Sequence, residues 1–282
     1  MTQTSHPLLE LKQVNVAFRV GGQWRPIVKN ISLSIGQGRV LTLLGESGSG
    51  KSVTLRAILA LLAAKTTRIS GSILLDGRDL VTLSAAERAA VRGREVGFIF
   101  QEPMTALDPV FRVGDQIAEM LVHHKGMSWK ASLARARELF DLVQIPSAQR
   151  RLRAYPSELS GGLQQRVMIA MAVACEPKLL LADEPTTALD ATVQVQVLLL
   201  LREVQKQFGM SILFVTHDLG VAAEISDDVA VMRQGEIIES GSAEQVLLHP
   251  AHAYTRLLTG SAVYGNYREN TLGAPGPVSS AG

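Results

Sequence analysis

The chain has a single cysteine, 5% aromatic residues, no strong excess of either charge and no long hydrophobic run. Each shortage excludes something. One thiol cannot close an internal disulfide, so stability must come from a packed core, and the expected setting is reducing and cytosolic. With 28 Lys and Arg against 26 Asp and Glu the net charge is only +2. That gives no case for nucleic acid as a partner, which needs a clustered basic surface. The longest apolar runs, Ala57 to Ala64 and Val167 to Cys175, fall well short of the roughly 18–20 residues that a membrane-crossing helix needs. Met1 to Glu10 has no basic stretch leading into an apolar one, so no secretory signal is expected. What is present is 46% hydrophobic residues in a chain of 282. That is too many for a disordered chain and enough for one large domain or two small ones.

The order of the runs predicts the fold class. Leu8 to Phe18, Ile27 to Ile35 and Val40 to Leu44 read as strands, punctuated by Gly21-Gly22 and Gly36-Gln37-Gly38. A helix is expected from Lys51 to Ala64, a strand at Ser72 to Leu75, and a short helix opened by the capping-box pair Ser84 and Glu87. Val96 to Phe100 is another strand. Between Val113 and Cys175 the apolar positions take a helical period, broken at Gly126, Pro146 and Pro156. Strand, helix and strand resume at Leu179 to Ala182, Thr192 to Phe208 and Ser211 to Thr216. Val229 to Met232 and Glu236 to Glu239 pair across Arg233-Gln234-Gly235. This alternation implies an α/β fold whose mostly parallel sheet is covered on both faces. The Gly-, Pro- and Ser-rich stretch 261–282 is expected to be a flexible tail.

Residues Gly45-Glu46-Ser47-Gly48-Ser49-Gly50-Lys51-Ser52 form a complete G-x-x-x-x-G-K-S loop between an expected strand and an expected helix. Glycines let the backbone wrap so that N–H groups face phosphate oxygens, and the helix N-terminus adds its positive dipole end. Lys51 supplies a point charge for the β- and γ-phosphates, and the Ser52 hydroxyl can ligate Mg²⁺. Asp183 and Glu184 close an apolar run at the edge where open α/β sheets bind ligands. There Asp183 suits a Mg²⁺ ligand and Glu184 a base for an attacking water, although two acids before Pro185 could simply solvate a turn. His217 ends the strand from Ile212 to Thr216, either near a γ-phosphate or as an ordinary loop residue.

Leu159-Ser160-Gly161-Gly162-Leu163, followed by Gln164-Gln165-Arg166, resembles the signature sequence of the ABC ATPases. Gln101 looks like the glutamine-loop residue, Ala188-Leu189-Asp190 like the D-loop and His217 like the switch histidine. The resemblance runs from about Leu8 to Gly260 and implies a P-loop NTPase (RecA-like) core, an N-terminal antiparallel β subdomain and an α-helical signature subdomain inserted at about 102–176. It further implies ATP and Mg²⁺ as ligands and ATP hydrolysis as the activity. The catalytic set would be Glu184, His217, Gln101 and Lys51. Ser52, Gln101 and Asp183 would hold the metal. Nucleotide contacts would come from residues 45–52 with Val53 and Gln101, from an adenine-stacking aromatic for which Phe18 is the candidate, from Asp190, and from Ser160, Gly161 and Gly162 of a second subunit. Phe18 could equally be sheet core. Two nucleotides would lie between two such subunits, siblings or copies, each between one phosphate loop and the other subunit's signature. Leu163 departs from the Gln found there in many members.

Gln101-Glu102-Pro103-Met104-Thr105-Ala106-Leu107-Asp108-Pro109-Val110 and His249-Pro250-Ala251-His252-Ala253-Tyr254-Thr255 resemble the dipeptide, oligopeptide and nickel importer branch. That implies a peripheral subunit on the cytoplasmic face of the membrane, working with two transmembrane permease subunits and an external substrate-binding protein. Relatives with a cysteine-bearing tail hold an iron–sulfur cluster, but Cys175 alone cannot supply its ligands, so none is expected. The His123-His124 pair, His249 with His252, and Arg150-Arg151-x-Arg153 read as surface polar groups rather than metal or headgroup sites. Two other classes stay open. A DNA-repair or translation ATPase of the same family would need a long coiled coil or two motif sets, and a small-molecule kinase would share only the phosphate loop.

Overall fold

A computed structural model describes residues 6–102, 106–187 and 189–260. Pro103, Met104 and Thr105 of the branch-marker run, Ala188 of the D-loop and the tail from Ser261 lie outside the described residues. Among the described residues, ten strands fall into two sheets. The first is antiparallel, in the order β2 (Gln23–Ile35), β1 (Leu9–Val20), β4 (Thr67–Leu75), β5 (Arg78–Asp79). The second runs β10 (Glu236–Ser242), β9 (Asp228–Arg233), β3 (Val40–Leu44), β8 (Ser211–Thr216), β7 (Leu179–Asp183), β6 (Val96–Ile99), parallel throughout except for the hairpin strand β10 at its edge.

Side-chain alternation along the parallel strands divides the interior into two cores. Leu180, Ala182, Ile212 and Phe214 face the helical side, where they pack with α3 (Val113–Lys125), α4 (Trp129–Leu142), α6 (Gly161–Val173) and α7 (Ala191–Phe208). Leu179, Leu181, Leu213 and Val215 face the other way, onto α1 (Lys51–Ile58) and the antiparallel sheet through Leu9, Leu11, Val16 and Leu75. Strands buried on both faces are largely apolar, and all residues of β3, β7 and β8 are buried, including Thr42, Asp183, Ser211 and Thr216. Each fully buried Leu, Ile or Phe contributes about 1.5–3 kcal/mol of transfer free energy. A third, smaller cluster joins Leu44, Val229, Val231, Val246 and Tyr254 with α8 (Leu219–Ile225) and α9 (Ala243–Leu248).

Several boundaries differ from the sequence expectation: β1 runs to Val20, β2 starts at Gln23 and β10 extends to Ser242, and three further differences have a visible cause or consequence. The helix after the phosphate loop ends at Ile58 rather than Ala64, because Ala60 adopts φ +52° and turns the chain toward β4. Strand β4 starts at Thr67 rather than Ser72. Gly71 faces a bulge in β1, where Gln13 and Val14 lie opposite it, the register shifts and a Cβ on Gly71 would meet the Gln13 carbonyl oxygen. The strand before the glutamine loop stops at Ile99, leaving Phe100 at its exit. By contrast α2 (Ala85–Val91) has both halves of the capping box, Ser84 Oγ accepting from Glu87 N–H and Glu87 accepting from Ser84 N–H. Among the described residues no helix is long and apolar enough to cross a membrane.

One carboxylate fastens three elements. Asp227 accepts from Val40 N–H (2.7 Å) at the start of β3 and from both terminal nitrogens of Arg202 on α7 (3.2 and 2.9 Å). Burial works to raise its pKa, but these bonds outweigh it and hold the carboxyl below the usual range. A depressed carboxylate contributes stability above its unfolded pKa that is lost as pH falls through the folded value, so the loss begins below about pH 4. Asp227→Asn should therefore lower stability by about 1–3 kcal/mol at neutral pH. Thermal unfolding from pH 7 to pH 3 should also show a shallower acid decline for the variant than for the wild type.

Candidate functional site

Strand β3 delivers the chain into residues 45–50, and α1 begins at Lys51. Gly48 (φ +81°) and Gly50 (φ +110°) occupy the left-handed region, which lets the loop curl over the helix start at little steric cost. Gly45 is required for another reason. A Cβ there would sit 2.2 Å from the Met232 carbonyl oxygen of β9, so the loop can pass against the neighbouring strand only with no side chain. The Lys51 side chain is 4% exposed and folds back into its own loop, Nζ donating to Gly45 O (2.7 Å) and Glu46 O (2.9 Å).

Three further segments converge beside the loop at the carboxyl edge of the sheet. Ser52 Oγ donates to Asp183 Oδ1 (2.8 Å), so the two groups read from the sequence as metal ligands are adjacent. Glu184 Oε1 lies 3.9 Å from Lys51 Nζ. Its other oxygen, Oε2, is 3.2 Å from His217 Nδ1, accepts from Thr187 Oγ1 (3.1 Å) and is reached by Gln101 Nε2 (3.4 Å). Glu184 has φ +45°, a strained conformation for a side-chain-bearing residue, and its N–H is fixed by Val215 O (3.0 Å) on β8. Burial lowers the Lys51 pKa against the pull of Glu184, Asp183 and Glu46. Burial raises that of Asp183, with the charge of Glu184 adding to the rise and Ser52, Arg56 and Lys51 opposing it. A polyanion beside Lys51 and a divalent cation beside Asp183 would each relieve one of these strained balances.

Other residues singled out in the sequence lie elsewhere. Ser160 is the N-cap of α6 without a side-chain capping bond, and Ser160 and Gly161 are exposed at that helix start. Gly162 packs inward, where a Cβ would meet Val193 at 3.2 Å. Asp190 caps α7, accepting from Val193 N–H (3.0 Å). Phe18 is half-buried on β1, opposite Arg25 and Thr67, while the cation–π contact of that sheet is Arg68 over Trp24 at 4.1 Å. Val53 is partly buried on α1 against the core beneath the antiparallel sheet. Cys175 is buried, and burial pushes its thiol up, as for an inert small hydrophobe.

Two supporting residues escaped the sequence reading. Thr187 holds Glu184 from three residues away. Gln165, 1% exposed on α6, donates to Pro185 O (2.5 Å) and so ties the signature helix to the turn carrying Glu184. Gln165 stands within the quoted signature run, but its partner is visible only once α6 packs beside β7.

The strand–loop–helix with a buried lysine, facing an acidic strand end, defines a P-loop nucleotide-binding protein. The ABC transporter family model matches residues 28–187, and the chain belongs to that family. It is 47% identical over 249 residues to the oligopeptide transport ATP-binding protein OppD of Bacillus subtilis (strain 168), covering 88% of this chain and 70% of that protein. It is 46% identical over 284 residues to the glutathione import ATP-binding protein GsiA of Salmonella typhi, covering 98% of this chain and 46% of that one. The chain thus spans about half the length of that curated relative. Among solved structures, the dimeric post-hydrolysis state of the ATP-binding cassette MJ0796 bound to ADP and Pi superposes with a TM-score of 0.74 at 29% identity, over 83% of this chain and 98% of that one.

The close passage at Gly45 makes a prediction independent of any ligand. Gly45→Ala should force the loop off β9 and destabilise the fold by about 1–3 kcal/mol, read as a lowered melting temperature without nucleotide. A wild-type melting temperature would show that the backbone contact with Met232 can yield freely.

Proposed function

We propose that this chain is the ATP-binding and ATP-hydrolysing subunit of an importer for peptides or peptide-like solutes. Residues 1–260 would form one nucleotide-binding domain, with 102–176 as its helical insert. The observation that carries the reading is the convergence of Lys51, Ser52, Asp183, Glu184, Gln101 and His217 from four separate chain segments. The family membership and the import proteins among its relatives support it. A repair-type ATPase is disfavoured, because the longest described helix between phosphate loop and signature, α4, has 14 residues and leaves no long coiled coil.

In this reading the residues 45–52 and Val53 enclose the phosphates, and Lys51 gives up its carbonyl partners for β- and γ-phosphate oxygens. The oxygen donors Ser52 and Asp183, already side by side, suit Mg²⁺, with Gln101 as a third ligand. Bound there, the ion would neutralise phosphate charge. Glu184, oriented by Thr187, Gln101 and His217, takes a proton from the attacking water as its oxygen bonds to the γ-phosphorus and the bond to ADP breaks. His217 would then hydrogen-bond the γ-phosphate. Phe18 would stack on adenine, Asp190 would contact the nucleotide, and Ser160, Gly161 and Gly162 would close the site from a second ATPase subunit, where the α6 start offers an exposed anion-binding helix end.

The partners implied are that second subunit, two membrane permease subunits and an external binding protein, with this chain peripheral on the cytoplasmic face. A feature that fits a permease loop is an apolar open cavity of ≈ 260 Å³ lined by Leu61, Phe98, Phe100, Met120 and Met171. Phe100, in its lining, directly precedes Gln101 in the chain.

Lys51→Ala should weaken binding of magnesium-ATP outright, and unchanged affinity in a calorimetric titration would sink the phosphate-loop reading. Glu184→Gln should keep ATP affinity, lose turnover by about 100-fold or more and accumulate an ATP-dependent dimer in sedimentation. Near-normal turnover would remove Glu184 as the base.

A further inference from the structure

The back of the phosphate loop is held by the last part of the chain. In the β9–β10 turn, Gly235 N–H donates to Ser49 O (2.9 Å) and Gly235 O accepts from Lys29 N–H (2.7 Å). Past α9 the chain is caught by Glu239 of β10, whose carboxylate accepts from Ala251 N–H (2.6 Å) and His252 N–H (3.1 Å). His252 Nδ1 then accepts from Tyr254 N–H (3.1 Å), and the chain is helical over 253–260. These bonds aim one side chain. Tyr254 is 7% exposed and packs in the cluster that includes Leu44, the last residue before the loop. The Arg233 guanidinium covers its ring at 4.4 Å.

The Tyr254 hydroxyl is buried without a well-formed hydrogen bond, although Glu46 lies close enough to interact with it. A buried hydroxyl left so costs about 1–3 kcal/mol, which a purely space-filling role would avoid by using Phe. Its neighbour is Glu46, the second residue of the phosphate loop: burial and the Glu46 carboxylate push the phenol up. The Glu46 side chain is exposed, so it can swing to accept from the phenol, and the Glu46 carbonyl is one of the two acceptors holding Lys51.

We propose that residues 249–260 act as a positioning strap for the phosphate loop, in which Tyr254, clamped under Arg233, fixes Glu46 through its hydroxyl and thereby sets where the Lys51 ammonium waits for phosphate. Tyr254 and Arg233 are positioning residues that touch no substrate. The run His249 to Thr255, a mere family marker in the sequence, thus has a mechanical task at the nucleotide site. The inference rests on the ATP-binding reading above.

The test uses the full chain and magnesium-ATP. Tyr254→Phe keeps the ring and its Arg233 contact and removes only the hydroxyl. It should raise the dissociation constant about threefold to tenfold while the nucleotide-free melting temperature stays at or above the wild-type value. Glu46→Ala should weaken binding to a similar extent, and the double variant should bind no more weakly than Glu46→Ala alone, because both changes break one link. Wild-type affinity in Tyr254→Phe, fully additive losses in the double variant, or a loss matched by a lower melting temperature would each overturn the strap. Lys51→Ala, titrated alongside, separates the two claims. If it loses ATP while Tyr254→Phe does not, only the strap fails; if it binds like wild type, the nucleotide reading fails and the strap with it.

Discussion

A lysine ammonium shut away from water at 4% exposure is the constraint on which this molecule is organised. An ion so buried must be compensated at close range or it loses its proton. Two loop carbonyls and the nearby carboxylates of Asp183 and Glu184 supply the compensation. Those carboxylates come from β7, so the loop after β3 and the end of β7 must be neighbours. The order β3-β8-β7 achieves this by inserting β8, whose Val215 carbonyl fixes the Glu184 backbone and whose end carries His217.

The same arrangement is a reservoir of electrostatic strain. Burial disfavours both the Lys51 cation and the Asp183 anion, and Glu184 is held in a left-handed backbone conformation. Strain of this kind persists only where surrounding packing enforces it. Here the enforcement comes from both cores and from polar ties across elements: Gln165 to Pro185 O from α6, Gly235 to Ser49 O from the β9–β10 turn, and Asp227 between β3 and α7. Helix α6 and the β9–β10 turn therefore reach the carboxyl edge of the sheet by different routes, the first through the turn carrying Glu184 and the second through the back of residues 45–50.

Much of this was legible in the sequence because it depends on local chemistry. The glycine spacing of residues 45–50, the capping box at Ser84 and Glu87, and the apolar runs of β3, β7 and β8 are all signals within a few residues. Placement of Asp183 and Glu184 at a strand end followed from the run before them. What was not legible depended on groups distant in the chain. Gly71 looks like a strand break until the Gln13 carbonyl opposite it is known, and α1 stops early because Ala60 must turn the chain into β4. Thr187 carries no motif, and Gln165 and Tyr254 stand in family-like runs that give them no role; each matters through a partner that only the fold brings near.

Lys51 is parked on the Gly45 and Glu46 carbonyls of its own loop, and in the proposed function it changes partners when phosphate arrives. The measurement that tests this exchange most directly is a crystal structure of this chain with magnesium and a non-hydrolysable ATP analogue. The account predicts that Lys51 Nζ will have left the Gly45 and Glu46 carbonyls for phosphate oxygens, with Ser52 and Asp183 meeting at the metal. A nucleotide bound away from residues 45–52, with both lysine–carbonyl bonds intact, would contradict it.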